Sequence, residues 1–337
     1  MNPGLLHQLY NAVPIGLIGL ALLCYLRAKK TPLWSEAFQR LSRNRNAQVA
    51  MAIIAVYGCA GIADSIGWYD KQTQERVTVI DAVFQKPSER TYSAPLATRT
   101  TGEPKPQPIS VKHILGTDST GADVLYRTIK GVRTAFMIGG TTIAIVTPLA
   151  IFLGLSAGYY GKWRDDIITY VYTVLASVPG ILLQIAMVMV LGKGILQICI
   201  ALGITRWVGL CRLVRGETIK HRDREYVRSA KALGVSDLGI LLRHILPNLL
   251  PAVIITITID FSSLVLAEAI LSYLGVGVPD NVGSWGNMID AARDELAREP
   301  VIWWNLLSAT GAITGLALSL NLFGDALRDA VDPKLRS

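Results

Sequence analysis

The sequence predicts an all-α, polytopic membrane protein with about seven transmembrane helices. Its 337 residues are 51% hydrophobic and only 17% charged, with a mean hydropathy of +0.39, too apolar for a soluble domain of this length. Charge-free runs at 3–26, 134–161 and 167–192 exceed the roughly 20 residues that cross a ~30 Å hydrocarbon core as a helix. Basic residues gather in alternate connections, as they do in loops retained on the cytoplasmic side.

The elements follow in order. The run 3–26 has no basic residue before it and Arg27, Lys29 and Lys30 just after it, the reverse of a secretory signal, so residues 1–30 read as a retained N-terminal anchor. Residues 31–133 hold a cytoplasmic lead-in with Arg40, Arg43 and Arg45, a span at 49–68 and a long outer loop from Tyr69 to Arg133. The near balance of acids and bases in that loop suits a small folded insertion, and long loops cross the membrane largely regardless of charge. Residues 134–337 form the remaining core, with spans at 134–161, 167–192, 196–213, 250–273 and 302–323. Lys162 and Arg164 mark an inner connection, and Arg215, Lys220, Arg222, Arg224, Arg228, Lys231 and Arg243 mark another at 214–248. Seven spans then place the N-terminus outside and the tail, with Arg328, Lys334 and Arg336, inside. The net charge of +8 is explained by this topology and by contact with anionic lipid rather than by nucleic acid.

The most informative segment is 226–248, YVRSAKALGVSDLGILLRHILPN. Gly234, without a Cβ, allows a sharp reversal; Ser236 can cap the helix that follows; Pro247 is expected to stop that helix before the next span. A helix-turn-helix on a membrane surface calls for a protein partner. The segment resembles the loop by which permease subunits of ABC importers dock onto their ATPase subunits, with Arg228-Ser229-Ala230 where that family often has Glu-Ala-Ala. The resemblance implies docking through Arg228, Ser229, Ala230, Gly234, Val235, Ser236, Leu238, Leu242, Leu246 and Pro247.

Three further stretches are similar to the dipeptide, oligopeptide and nickel branch of those permeases. The outer loop ends in HILGTDSTGADVLYRTIKGVRTAF (113–136), close to a Leu-Gly-Thr-Asp entry signature, with Ala122 where the branch usually has arginine. EAILSYLGVGVPDNVGSWGNMI (268–289) resembles an outer helix-loop, and NLFGDALRDAVDPKLR (321–336) a C-terminal signature. These point to Thr117, Asp118, Asp123 and Trp285 as outer-face residues. The turn formers of GTDSTG suit a tight loop that leads into an amphipathic outer helix and caps the span after it. Trp285, Trp303 and Trp304 read as aromatic anchors at the headgroup level.

By resemblance the chain is the second permease of such a system, with a six-helix type I importer core and one extra N-terminal helix. The partners implied are a different permease chain, two ATPase subunits, an extracytoplasmic substrate-binding protein and membrane lipid. ATP and Mg belong to the ATPase partners, and this chain is expected to bind no cofactor. Peptides are the expected cargo, with nickel complexes, glutathione and opine-like solutes as alternatives.

Residue chemistry supports a non-catalytic subunit. The nearest phosphate-loop candidate, SAGYYGKW at 156–163, has Ser156 for the first glycine and Trp163 for the Mg-binding hydroxyl, and it closes a span instead of joining strand to helix. His7, His113, His221 and His244 are far apart, and Cys24, Cys59, Cys199 and Cys211 have neither metal-ligand nor disulfide spacing. Arg206, Asp260 and Glu268 are charged groups inside apolar spans, where each unpaired charge costs at least ~2.5–3.5 kcal/mol. Such residues also suit an ion-coupled secondary transporter, the competing class, although no inverted repeat accompanies them. Helix rise leaves two arrangements open: an ion pair between Arg206 and Asp260 that links the fifth and sixth spans, or Arg206 snorkelling to the inner surface with Asp260 meeting a polar neighbour or pathway water.

Overall fold

A computed structural model describes residues 32–69, 76–84 and 87–331. The anchor at 1–30, with Cys24 and His7, and the Asp-Pro-Lys-Leu end lie outside the described residues. Within them the order is α1 (Pro32–Leu41), α2 (Arg45–Ser65), β1 (Gly67–Tyr69), β2 (Arg76–Thr78), α3 (Val79–Phe84), α4 (Val124–Tyr160), α5 (Lys162–Ser177), α6 (Gly180–Leu191), α7 (Ile195–Arg222) and α8 (Glu225–Ala232). They continue through α9 (Asp237–Tyr273), α10 (Trp285–Glu295) and α11 (Trp304–Val331). Five of these helices, α2, α4, α7, α9 and α11, are long and apolar enough to cross a membrane, and the α5–α6 pair makes a sixth if it is one span.

Among the described residues the spans are where the apolar runs put them, but four differ in form. The run 167–192 is not one helix: α5 and α6 meet at 87°, because Val178 is extended and Pro179 cannot continue the α5 ladder. Helix α4 begins at Val124, ten residues before the apolar run, so the expected amphipathic outer helix is the first part of a 37-residue rod. Helix α7 runs nine residues past the expected end at 213, carrying its basic last turn clear of the apolar stretch. Pro247 does not stop a helix. Residues Ile240–Ile245 form a π turn, in which the Leu246 amide reaches back to the Leu241 carbonyl, and this wider turn accommodates a proline that has no amide to donate.

The most extensive packing in the bundle is between α4 and α7. It rests on a close approach at Gly154 and Gly158, a small-xxx-small spacing that lets backbones meet in a medium with no hydrophobic driving force between helices. A Cβ on Gly154 would lie 2.7 Å from Val214 Cβ, and one on Gly158 would lie 2.7 Å from both the Arg215 carbonyl and Thr218 Cβ. Around this crossing Tyr159, Leu210, Val214, Val227, Ile240, Ile245 and Leu249 form one core cluster. Toward the other end Val124, Val132, Trp285, Trp304 and Leu316 form a second. Helix α1 is amphipathic and lays Ala37 and Leu41 against Leu327 and Val331 of α11; Asn44 caps α2 by accepting from the amides of Asn46 and Ala47.

The long loop between α2 and α4 is a folded insertion, as its charge balance suggested. Strands β1 and β2 pair antiparallel through Gly67↔Thr78, Trp68↔Val77 and Tyr69↔Arg76. An ionic knot fastens them to the bundle: Lys130 Nζ lies 2.7 Å from Asp64 Oδ1 and 2.6 Å from Asp81 Oδ1, while Thr78 and Tyr126 donate to Asp64 and Asp81. Burial alone would raise the Asp81 carboxyl, but Lys130, Tyr126 and the Thr78 amide together hold it below the usual range.

Gly158→Val is expected to force α4 and α7 apart. Thermal unfolding of the detergent-solubilised protein should show a loss of about 1–3 kcal/mol, the range for overpacking. Gly209→Ala, where the Cβ meets no atom within 4 Å, should leave the transition unchanged.

Candidate functional site: the basic loop, the intramembrane charges and the outer cap

The basic loop is built on a turn at Gly234, whose φ is +79°, a conformation that L side chains avoid. The Gly234 amide closes on the Lys231 carbonyl and the Val235 amide on the Ala230 carbonyl, ending α8. Ser236 Oγ then accepts from the Gly239 amide at 3.3 Å and opens α9. The loop's rear face is locked to the bundle. Val227, Ala230, Ile240, Leu241 and Ile245 are buried, Tyr159 donates to Asp237 at 2.7 Å, and Arg222 donates to the Gly158 carbonyl at 3.1 Å. Arg215 and Asp165 add a bidentate pair between α7 and α5, with an outer arm of 2.7 Å.

Its other face is open. Leu233, Leu238 and Leu242 are 85%, 64% and 50% exposed, set among exposed Arg228, Ser229, Gly234, Ser236, Arg243 and Pro247. Val235 and Leu246 are half-buried. Ala230 points into the core and so is corrected from a contact residue to one that seats the loop. Sequence reasoning passed over Leu233, the most exposed of these leucines, and the Tyr159–Asp237 pin; the apolar residue just before the turn glycine was the signal for the first.

The intramembrane charges are arranged differently from expectation. Arg206 makes no ion pair with Asp260. Its Nη1 donates to Ser263 Oγ at 3.2 Å and its Nη2 to the Ser263 carbonyl at 3.4 Å, so α7 and α9 are joined one turn beyond Asp260. A serine hydroxyl and carbonyl on the near face meet the guanidinium before the carboxylate can. Glu268 is 1% exposed and accepts from Ser272 and from Ser284, both at 2.8 Å. Because Ser284 is also the N-cap of α10, Glu268 is the joint between α9 and α10.

The four residues assigned to the outer face are all interior. Thr117 accepts from the Ser93 amide and donates to the Thr91 carbonyl. Asp118 accepts from the amides of Thr120 and Ala122 and pairs with Arg127 at 2.7 Å, which supplies the cation that Ala122 does not. Asp123 caps α4 through the Tyr126 amide and meets buried His113 at 2.7 Å. Trp285 is 1% exposed; its indole N–H donates to the Thr128 carbonyl, its edge meets Tyr57, and a Cβ on Gly131 would lie 2.6 Å from its ring. Trp304 is likewise buried and donates to the Thr117 carbonyl, whereas Trp303 remains 49% exposed. Trp285 and Trp304 are therefore core residues rather than headgroup anchors.

Nearby, the Glu295 carboxylate at the end of α10 is buried, with neither oxygen in hydrogen-bond geometry, and Asn305 Oδ1 is left in the same state. Burial pushes the Glu295 carboxyl up, with the Asp118 charge adding to it and Asn305, Tyr92 and Arg298 offsetting only part.

A bundle of membrane-crossing helices, with a rigid basic loop that turns three leucines outward, defines a membrane subunit built to work against other proteins. Residues 150–337 match the family described as the binding-protein-dependent transport system inner membrane component. The oligopeptide transport system permease protein OppC of Bacillus subtilis is 31% identical over 91% of this chain and 92% of its own length. The dipeptide permease protein DppC of Alkalihalophilus pseudofirmus is 32% identical over 90% and 91%. The glutathione permease protein GsiD of Pectobacterium atrosepticum is 36% identical over 68% and 75%. The chain belongs to this family of inner-membrane permease components of binding-protein-dependent import systems.

Gly234→Val should strain the turn by about 1–2 kcal/mol or more and shift the start of α9. The check is hydrogen exchange at residues 225–245, which should quicken there and stay unchanged in α4. The Glu295 pair gives a pH signature. A folded carboxyl raised above its unfolded value binds more protons in the native state, so stability falls as pH rises from the unfolded value through the folded one. Glu295→Gln, which cannot ionise and can donate to Asn305, should remove that slope and raise the melting temperature at neutral pH, measured by a pH series of melts.

Proposed function

We propose that this chain is one of two unlike permease subunits in an ATP-driven peptide importer, forming half of the translocation pathway and performing no covalent chemistry itself. The observation that carries the reading is the basic loop, whose rear face is fastened to α4 and α7 while Leu233, Leu238 and Leu242 project from the opposite face. An exposed apolar patch rimmed by charge is what a protein partner covers. Two ATPase subunits are the partners that fit: the short stretch of α9 after Gly234 is continuous with a span, so a push on the loop is delivered to the bundle as rigid motion. The outer cap is the face offered to a substrate-binding protein. Peptide cargo is supported by the transport systems for which the oligopeptide, dipeptide and glutathione relatives are named.

In this reading the loop and Ser337 are cytoplasmic and the insertion between α2 and α4 is outside. A membrane-impermeant thiol reagent on intact cells should label a cysteine at position 100 and spare one at position 220; the opposite pattern reverses the orientation. Co-expression with the neighbouring permease and ATPase chains should yield a complex with peptide-stimulated ATP hydrolysis. Leu238→Asp should abolish the co-purification of ATPase while leaving the melting temperature of the permease unchanged, because this side chain is exposed. ATPase retained at wild-type level by a Leu233→Asp/Leu238→Asp double variant would defeat the docking reading.

A further inference from the structure

A cavity of about 600 Å³ opens on the side of the bundle where α6, α7 and α9 meet, lined by Gly180, Gln184, Thr205, Arg206, Ser263 and Leu266 among others. Its polar groups share one depth. Arg206 lies eleven residues into α7 from Ile195, Gly180 eleven residues from the Leu191 end of α6, and Ser263 ten from the Tyr273 end of α9. At 1.5 Å per residue all three sit roughly 15–16 Å from the same end of the bundle, near the middle of a ~30 Å hydrocarbon core.

Lipid does not suit this wall. Arg206 has neutral hydrogen-bond partners only, Ser263 Oγ and O at 3.2 and 3.4 Å, and no carboxylate within 4.0 Å among the described residues. A guanidinium carries five N–H donors, and two are used. The first turn of α6 begins at Gly180; the Leu182 and Leu183 amides close on the Pro179 carbonyl, which leaves the Gly180 and Ile181 amides without an intrahelical acceptor. The 87° break therefore places the positive end of a half-helix beside a cation at mid-membrane depth, an arrangement suited to a buried anion. Gln184 Nε2 donates to Thr205 Oγ1 at 2.8 Å, which fixes the polar rim. Leu266 and Ile270, 42% and 47% exposed, form the apolar side.

The geometry points to this cavity as a carboxylate-recognition point in the translocation pathway, with Arg206 taking the carboxylate of the passing solute. Resting on the peptide-import reading, it assigns to Arg206 the C-terminal carboxylate of a peptide. Ser263 holds the guanidinium toward the cavity. Glu268 is engaged by two serines, and Asp260, one turn from Ser263, interacts with Arg206 only at longer range than an ion pair, which leaves the remaining guanidinium donors open to a solute.

Two measurements on the complete complex in liposomes separate the site from the cargo. In a background without native cysteines, Leu266→Cys should react faster with a sulfonate-bearing methanethiosulfonate than with a trimethylammonium one. That ratio should fall about tenfold with Arg206→Gln and persist with Arg206→Lys. Equal rates for both reagents, a ratio insensitive to Arg206, or no reaction with either overturns the anion site. Uptake of a dipeptide should exceed that of its C-terminal amide, and Arg206→Gln should lower the first about tenfold more than the second. Equal uptake of the two forms by the wild type, or equal losses in the variant, overturns the carboxylate assignment. If the wild type imports neither peptide while the reagent ratio holds, the peptide reading fails and the anion site stands.

Discussion

The crossing of α4 and α7 at Gly154 and Gly158 is the contact on which the other parts depend, because both helices outlast the membrane core and carry something at each end. Helix α4 starts at the Asp123 cap inside the insertion and carries in its last turn Tyr159, whose hydroxyl holds Asp237 of the loop. Helix α7 presents Arg206 halfway along and ends in the basic turn that feeds α8. Two glycines one turn apart let these rods touch backbone to backbone, so the insertion at one end and the basic loop at the other are fixed to one pair of helices. Without that proximity the Arg222 to Gly158 hydrogen bond and the burial of Val214 and Thr218 would be lost together.

Much of this was legible in the chain. Apolar length located the spans, Gly234 and Ser236 announced a turn and a cap, and the charge balance of the outer loop suggested a folded insertion. Local chemistry decides such features, and local chemistry is visible in a sequence. What escaped was decided by distant partners. Trp285 and Trp304 have the composition of headgroup anchors, but their indoles donate to carbonyls 157 and 187 residues away, and nothing nearby in the chain records those acceptors. Arg206 had two plausible partners one turn apart on α9, and only side-chain geometry chooses Ser263. Other misses were avoidable: Pro179 sat in the middle of an apolar run, and GLSAG at 154–158 carried the small-xxx-small spacing openly.

The turn before α4 shows how a signature can be structural rather than recognitive. Thr117, Asp118 and Asp123 occupy a turn whose backbone groups they satisfy, beside a histidine with no exposed surface. Their placement explains why such residue types recur in one short stretch: each supplies an acceptor that the turn or the α4 start lacks. Any partner on this face meets the surroundings they shape, and not the side chains themselves.

The π turn at Ile240–Ile245 has a geometric meaning for the loop. Buried Leu241, Ile245, Leu249 and Val253 recur every four residues, a spacing that drifts by about 40° per step on a helix of 3.6 residues per turn. A wider turn takes back part of that drift, keeping the rear of the loop and the start of the span on one face. Residues 240–245 thus act as a phase adjuster. Gaining one more residue beyond what this turn absorbs would rotate Leu238 and everything before it by about 100° about the helix axis, turning the exposed leucines away from their present side with no change in their own chemistry. Chain length between Gly234 and Leu249 is consequently as much a determinant of the partner surface as the side chains that form it.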